Sequence, residues 1–336
     1  MTAPTSRTPS PRSIAARSAA LLLAALLAAL ALLAAAHPVA ALADEAGSPC
    51  QPSAEDLARY EADGTLEQRQ AFQDALEHDQ PDESLIQQAI ARQNALDGVA
   101  TNAVPTNWQG GMPTEGTARV VLLRVSFPAE GDEPAREFSE GDTLEALQAI
   151  VDGDGDGTAG VYPYESLNGY YQRSSYGKLS IKGEAFDYRA KHARSYYTNN
   201  IQELYHEALA ALDPTVDFSR FDGNSDGLID AIYLHFAGGD AEWGTTWWSN
   251  ADKMYSTVSY DGVSPCKFVT LHNPSDNPEA ARTIIHETGH VLGLPDYYSY
   301  TAMTSPSSGR TGSLTFDMMD NNTGDHNGFS KWLLGW

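Results

Sequence analysis

The chain has 336 residues and a formal net charge of −24, from 21 lysines and arginines against 45 aspartates and glutamates. This excess of negative charge excludes nucleic acid and anionic membrane surfaces as favoured partners, because both would repel the protein. The charge suits a protein that attracts divalent cations. With 42% hydrophobic and 10% aromatic residues, the chain can bury a core and is not disordered overall.

Residues 1–43 have the pattern of a secretory signal peptide. Three arginines precede an alanine- and leucine-rich run from Ala19 to Ala36, and Ala41-Leu42-Ala43 matches a signal-peptidase site. The pattern predicts a secreted, extracellular protein with no stable membrane association after cleavage. A retained membrane anchor is the alternative, because the run is nearly long enough to span a bilayer.

Residues 44–115 are interpreted as a helical pro-region with a linker. Up to residue 97 the segment is rich in Gln, Glu, Asp and Ala, with apolar residues at three- and four-residue steps, as in amphipathic helices. Residues 98–116 are rich in Gly, Asn, Pro and Thr, which is a linker composition. A plain N-terminal helical extension is the alternative.

Residues 116–336 form the predicted main domain, in which strands and helices alternate. Predicted strands begin near Ala118, Tyr176, Ala231 and Lys267, and predicted helices cover 144–151, 162–173, 201–212 and a stretch from Phe329. Such mixing in one run indicates an α/β to α+β domain. A helix that begins so close to Trp336 is the pattern of a C-terminally truncated domain.

The strongest motif is His286-Glu-Thr-Gly-His290, which local rules place on a helix. Asn277 can cap this helix and Pro278 suits its first position. Two histidines four residues apart lie on one helix face and can bind one metal ion. Glu287 points about 100° around the axis, where it can take a proton from metal-bound water.

A third protein ligand must come from outside this motif. No glutamate follows Glu287, and the only later histidine is His326. Gly293 can end the helix in the left-handed conformation and Pro295 prevents its continuation, so Asp296 can return to the metal. Two imidazoles, one carboxylate and a water make a catalytic zinc site. We expect Asp296 to be the third ligand, with His326 as the alternative.

The stretch from His286 to Asp296 resembles the metzincin signature HExxHxxGxxH with its last histidine replaced by aspartate. This variant is similar to the immune inhibitor A (M6) family of secreted metallopeptidases, and the motif is also similar to snapalysin. Tyr170–Leu179, Phe221–Tyr233 and Asp317–Trp336 resemble the same family in the same order, so the resemblance covers roughly 118–336.

The resemblance implies a metzincin-like zinc peptidase fold, with a mixed sheet, an active-site helix, a Met-turn beneath the zinc and a C-terminal helix. By position, Met318 or Met319 supplies the Met-turn, and Met319 is preferred. Tyr298 is a candidate phenol that stabilises the oxyanion of the tetrahedral intermediate. Aromatic packing beneath the turn is the alternative, and Tyr297 is a competing choice.

An acidic loop has the ligand pattern of a calcium site. Oxygen ligands stand at the EF-hand-like positions 1, 3, 5, 7 and 9, which are Asp222, Asn224, Asp226, the carbonyl of Leu228, and Asp230. Tyr233 stands where the bidentate glutamate would be, so full EF-hand geometry is not supported. A second run, Asp152-Gly-Asp154-Gly-Asp156, has no carboxylate to complete it. A solvated acidic turn is the alternative for both.

The two cysteines, Cys50 and Cys266, can form one disulfide outside the cell, and two thiols without a catalytic role are the simpler interpretation. Because Cys50 lies upstream of the main domain, a further hypothesis is that it reaches the zinc and keeps the precursor inactive.

Taken together, these patterns predict a secreted zinc endopeptidase, monomeric and acting on protein or peptide substrates. Zinc activates the water, and Glu287 is the general base and acid. The alternatives are a secreted binding or adhesion module with a structural or vestigial zinc site, and a zinc amidohydrolase.

Overall fold

A five-stranded mixed sheet forms the centre of the fold, in the order β2-β1-β3-β5-β4. Its strands are β1 (Gly116–Ser126), β2 (Leu179–Arg189), β3 (Ala231–Phe236), β4 (Asn250–Lys253) and β5 (Lys267–His272). The first three and β5 are parallel, and β4 is antiparallel to β5 at one edge. β3 and β5 are buried along their whole length, as expected for parallel strands covered on both faces.

Helices cover both faces of this sheet. They are α1 (Ala54–Asp63), α2 (Leu66–Ala75), α3 (Glu83–Leu96), α4 (Leu144–Asp152), α5 (Leu167–Ser174), α6 (Ile201–Leu212), α7 (Ala280–Val291) and α8 (Gly328–Leu334). Residues of α3, α4, α5, α7 and α8 share one apolar core on one face, and α6 packs in a second core with alternate residues of β1. The predicted mixed α/β class is therefore confirmed.

The computed structural model describes residues 52–99, 111–153, 165–239, 241–254, 256–272, 280–298, 316–320 and 324–336. All of them lie in one compact unit, Ser48–Trp336. The predicted signal peptide, Cys50, Asn277, Pro278, most of the linker and the end of the run Asp152–Asp156 lie outside the described residues. None of the helices in these ranges combines the length and apolarity that crossing a bilayer requires.

The predicted elements lie close to where the sequence placed them, with two differences. The helix predicted over 162–173 begins at Leu167, because Ser166 caps it by accepting the Gly169 amide through its side chain. The short strand β4 was not predicted, because its polar sequence Asn-Ala-Asp-Lys gives no strand pattern. Its pairing with β5 is a tertiary contact that the local sequence does not encode.

The N-terminal helices pack against the main domain. The first of them, α1, begins with a capping box between Ser53 and Asp56. Leu85 and Ala89 of α3 are buried in the same core as the strands. The carbonyl of Gly293, which follows α7, accepts a hydrogen bond from the Asp82 amide at 2.9 Å. Helix α3 is therefore built into the face of the sheet that carries α7.

Candidate metal centre

The helix α7 is buried and fixed in rotation about its own axis. The Tyr233 hydroxyl on β3 lies 2.8 Å from the Thr288 hydroxyl, and the Tyr171 hydroxyl donates to the carbonyl of Ile285 at 2.8 Å. At the far end of the helix, Lys267 donates to the carbonyl of Val291 at 2.7 Å. These three hydrogen bonds prevent the helix from rotating about its axis. They therefore fix the direction in which the face with the two motif histidines points.

A tight turn after α7 brings Asp296 back to the helix. Gly293 has φ +96°, and the amides of Gly293 and Leu294 donate to the carbonyls of His290 and Gly289, both at 2.9 Å. This is the Schellman arrangement of a helix end, in which the left-handed residue is normally glycine. The predicted left-handed Gly293 is confirmed.

Both motif histidines present the same ring nitrogen to the centre. The Nδ1 of His286 lies 3.0 Å from the carbonyl of Met318, and the Nδ1 of His290 lies 2.9 Å from the carbonyl of Leu294. A carbonyl can only accept, so each Nδ1 carries the hydrogen and each Nε2 keeps its lone pair in the neutral ring. This tautomer suits a histidine that binds a metal through Nε2.

The two motif histidines each approach the same carboxylate oxygen of Asp296 at the spacing of two ligands on one ion. The Nε2 atoms of His286 and His290 lie 3.0 and 3.4 Å from Oδ1 of Asp296. With bonds of about 2.0–2.1 Å at tetrahedral angles, two donors on one zinc lie about 3.3 Å apart. At this distance an Nε2 lone pair would repel the Asp296 oxygen, so a cation near this oxygen, either a metal ion or the proton of a charged ring, fits the arrangement better than neutral rings alone.

Burial and charge act on the two carboxylates in opposite senses. Burial raises the pKa of Asp296, but when the two rings are protonated the charges and hydrogen bonds of His290 and His286 outweigh it and hold that pKa well below the ordinary value. Burial also raises the pKa of Glu287, and here it prevails over both histidines and a hydrogen bond from the Ala251 backbone. Glu287 is 3% exposed and lines the same cavity as His286, His290 and Asp296. The site therefore holds one carboxylate that favours the anionic form and one whose raised pKa suits it to accepting a proton.

The turn of Asp317–Asp320, where the Met-turn was predicted and which is called the methionine turn below, packs against the motif helix. Asp317 to Asp320 form a turn closed by an Asp320 amide to Asp317 carbonyl bond of 3.1 Å, and Met319 is fully buried. A Cβ placed on Gly289 would lie 2.1 Å from the Met319 sulfur, so the glycine of His-Glu-Thr-Gly-His makes room for this side chain. Met318 contributes its carbonyl to His286.

Replacing Gly289 by alanine is expected to destabilise the protein by about 1–3 kcal/mol, because overpacking against Met319 exceeds the gain in helix propensity. Gly169 on α5 is the matched control, since a Cβ there meets nothing closer than 3.4 Å. Gly169→Ala should raise stability by about 0.5–1 kcal/mol. Urea denaturation of both variants measures the difference, and equal effects would contradict the packing argument.

His326 lies away from the site, among aromatic residues. Its Nδ1 lies 2.9 Å from Oδ1 of Asp317, and its ring packs near Tyr171 and Trp336. The same Asp317 also accepts hydrogen bonds from the Ser330 hydroxyl and the Met319 amide. The structure thus uses His326 to hold the methionine turn to α8, and it places Asp296 rather than His326 beside the two motif histidines.

A histidine that the sequence analysis did not select joins the site. His78, in the loop between α2 and α3, forms with His290 and Asp296 the only group of three candidate metal donors found among the described residues. Its ring stacks on that of His290 with centroids 3.7 Å apart. His78 is the only histidine between His37 and His192, and a single histidine in the predicted pro-region was the available signal.

Tyr298 lines the cavity, and it also packs with Tyr60 and Trp243 in a small apolar cluster. Tyr297 lies elsewhere, with its hydroxyl 2.9 Å from that of Ser330. Of the two tyrosines, Tyr298 is the one beside the metal-binding groups. Its predicted role toward an oxyanion stays a prediction.

The predicted calcium loop is held by its own backbone. Asp222 accepts the amides of Asp226 and Gly227, and Asp226 accepts the amide of Leu228. Burial raises the pKa of Asp230 to about 8, and its carboxylate accepts the amides of Arg119 and Gly223. Asn224 donates through its side chain to the carbonyl of Gly111. Calcium binding here stays a prediction.

Cys266 is a free thiol just before β5. Because Cys50 lies outside the described residues, both the disulfide and the hypothesis that Cys50 reaches the metal stay predictions.

The fold and site define an α/β protein with a candidate metal centre on a buried helix. No family model matches the chain. The chain is 29% identical over 224 residues to immune inhibitor A of Bacillus thuringiensis subsp. alesti, covering 52% of this chain and 32% of that protein. It is 30% identical over 186 residues to the pre-pro-metalloprotease PrtV of Vibrio cholerae serotype O1 (strain M66-2), covering 43% and 20%.

The chain is thus a distant homologue of immune inhibitor A and of PrtV, which confirms the resemblance expected from the motif. The matches span about a third and a fifth of these relatives' lengths.

Proposed function

We propose that the protein is a zinc-dependent metalloendopeptidase of the M6 kind, with a metzincin-like catalytic domain. The observation that carries the proposal is the approach of two Nε2 atoms and one carboxylate oxygen at 3.0 and 3.4 Å, with a glutamate in the same cavity. The homology to a protein named as a metalloprotease supports it. Zinc is the metal that a set of two histidines and one carboxylate favours.

His286, His290 and Asp296 would hold the ion, and the ion would supply Lewis acidity to a water and to the scissile carbonyl. Glu287 takes the proton from the attacking water and returns it to the leaving amine. Its raised pKa favours this proton acceptance. Tyr298 donates a hydrogen bond to the developing oxyanion, and Met319 supports the helix from below. A purely structural zinc site would not need Glu287, which argues against an adhesion module.

The proposed organisation is an exported precursor, with residues 1–43 as signal peptide, 44–115 as pro-region and linker, and 116–336 as the catalytic domain. Its proposed substrates are proteins or peptides, and the proposed state is a monomer. The burial of Leu85 and Ala89 in the main core fits a pro-region that folds onto the domain it precedes.

Metal analysis of the purified protein, combined with a casein hydrolysis assay before and after chelation, tests the function. We expect one zinc per chain, and hydrolysis that is lost with a chelator and restored by zinc. A metal-free protein, or hydrolysis that is indifferent to chelation, would overturn the proposal.

We also propose a calcium ion at the loop of Asp222–Asp230. Calcium at about 100 times its Kd should stabilise the fold by about 2.7 kcal/mol, because only the folded loop binds it. Thermal denaturation with and without calcium measures this gain. Asp222→Ala should abolish it, whereas Asp213→Ala, at an exposed position after α6, should retain it. An equal gain in both variants would contradict a site in this loop.

A further inference from the structure

The methionine turn is bonded to two of the three proposed metal ligands or their neighbours. The carbonyl of Met318 accepts the Nδ1 hydrogen of His286 at 3.0 Å. The carbonyl of Met319 accepts the amide of Tyr297 at 2.9 Å, and Tyr297 directly follows Asp296 in the chain. The turn therefore holds one proposed ligand by its ring and a second through the residue next to it.

The hydroxyl of Tyr297 forms another link between the same parts of the chain. It lies 2.9 Å from the hydroxyl of Ser330 on α8, and Ser330 donates to Oδ2 of Asp317 at 2.7 Å. A serine hydroxyl carries one hydrogen, and an ionised carboxylate can only accept. Because Ser330 uses its hydrogen toward Asp317, the Tyr297 hydroxyl is the donor in its bond with Ser330. The hydrogen bonds thus run in one direction, from Tyr297 through Ser330 to Asp317.

These hydrogen bonds close into a ring. Oδ1 of Asp317 accepts the amide of Met319 at 2.9 Å, and the carbonyl of the same Met319 accepts the Tyr297 amide. Tyr297 is therefore held twice, by its backbone and by its hydroxyl. A buried polar network in which every member is bonded is rigid and favours one arrangement of its members. The ring thus fixes the chain at the residue next to Asp296.

Asp317 is the anchor of this ring. It is 1% exposed, and its two oxygens also accept from the ring of His326 at 2.9 Å and from the Asn327 amide at 2.7 Å. Burial raises the pKa of Asp317, but His326 and the amides of Met319 and Asn327 outweigh it and hold that pKa below the ordinary value. The carboxylate is therefore ionised at neutral pH, and it is a strong acceptor for the Ser330 hydroxyl.

Asp296 lies between two fixed points of the chain. The tight turn at Gly293 holds it on the N-terminal side, and the ring holds Tyr297 on the C-terminal side. Its Oδ1 approaches the Nε2 atoms of His286 and His290 at 3.0 and 3.4 Å. Groups that bind a metal must be placed within about 0.5 Å of the productive geometry. A small shift of the chain at Tyr297 is therefore enough to weaken binding through Asp296.

We propose that Tyr297 and Ser330 are positioning residues of the metal centre, and that their hydroxyl chain to Asp317 fixes the approach of Asp296 to the ion. This inference rests on the proposed function. It gives Tyr297 a role in holding a ligand, in place of the oxyanion role for which its sequence position made it a candidate. Both hydroxyls act on the ion only through Asp296.

Tyr297→Phe is the sharpest variant, because it removes one hydroxyl and keeps the ring that packs against the core. Competition with a chelator measures zinc affinity in the full chain, and again in an Asp296→Ala background. We expect Tyr297→Phe and Ser330→Ala each to lower zinc affinity by about 10- to 100-fold. In the Asp296→Ala background, Tyr297→Phe should leave zinc affinity unchanged, since the group through which it acts is gone.

The matched control is Tyr196→Phe. It removes a hydroxyl bonded to Glu203 on α6, the helix that packs on the opposite face of the sheet, and it should keep the wild-type zinc affinity. Visible absorption of the cobalt(II)-loaded protein is a second measurement, because its bands depend on ligand geometry. We expect shifted bands in Tyr297→Phe and unchanged bands in Tyr196→Phe. A hydroxyl with a merely structural role would lower stability in urea and leave the bands in place.

The outcomes separate this inference from the proposed function. A wild-type chain that binds zinc, with the same affinity in Tyr297→Phe, would overturn the positioning role and leave the peptidase intact. An equal loss with and without Asp296 would also overturn it, because Tyr297 would then act on the fold and not on the ligand. A wild-type chain that binds no zinc would overturn both. If Ser330→Ala fails to fold, Tyr297→Phe alone decides.

Discussion

Replacing Glu287 by glutamine is expected to abolish peptide hydrolysis while the zinc stays bound. Glutamine has the size of glutamate, so the buried cavity keeps its packing, but an amide cannot accept the proton of the attacking water. General base catalysis contributes about 10²- to 10⁴-fold to a rate, and we expect a loss of kcat at least that large. Measuring kcat and zinc content together tests the role.

The control for this variant is Glu203→Gln. Glu203 lies on α6, which packs on the opposite face of the sheet, and it is exposed. It loses the same charge without touching the site, so its rate should equal that of the wild type. An unchanged kcat in a fully zinc-loaded Glu287→Gln protein would remove Glu287 from the mechanism. Loss of zinc from that variant would instead make Glu287 a ligand or a structural group.

Local sequence rules predicted the parts of the site that lie close together along the chain. The histidine spacing follows from the helical repeat, and the return of Asp296 follows from Gly293 and Pro295 within six residues of His290. The long strands β1, β3 and β5 were predicted because a parallel strand buried on both faces reads as a run of apolar residues.

The contacts that local rules missed join distant parts of the chain. His78 stacks on His290 only because α2 and α3 pack against the domain, and no spacing in the sequence connects the two rings. The sequence favoured Asp296 as the third ligand, but it kept His326 as an alternative because both are metal-binding side chains after the motif. The Asp317 carboxylate forms a hydrogen bond with the ring of His326. This bond forms only when the methionine turn and α8 pack together.

This arrangement also joins the N-terminal segment to the site. The candidate ligands are brought together by α7 and the tight turn after it, and the backbone carbonyl of His78 also accepts a hydrogen bond from the Asp296 amide. The segment 52–99 contacts the turn of Gly293 and Asp296 through backbone hydrogen bonds, and the partly buried ion pair between Asp82 and Lys253 holds it beside that turn.

Asp296→Ala is expected to lower zinc affinity at least about 100-fold, more than the usual loss from a residue that only orients a ligand. His326→Gln should keep zinc affinity within about tenfold but destabilise the fold by about 1–3 kcal/mol, because it breaks the buried bond to Asp317. Competition titration with a zinc chelator measures the first quantity, and urea denaturation measures the second.

If Asp296 is the third ligand, the zinc affinity falls in Asp296→Ala and the stability against urea falls in His326→Gln. If His326→Gln loses zinc and Asp296→Ala retains it, the ligand assignment is wrong, and the approach of Asp296 to the two Nε2 atoms is an ion pair without a metal. If both variants lose zinc while only His326→Gln unfolds at lower urea, His326 acts through the methionine turn. In that case its bond to Asp317 positions the carbonyl of Met318, which orients His286 for the ion.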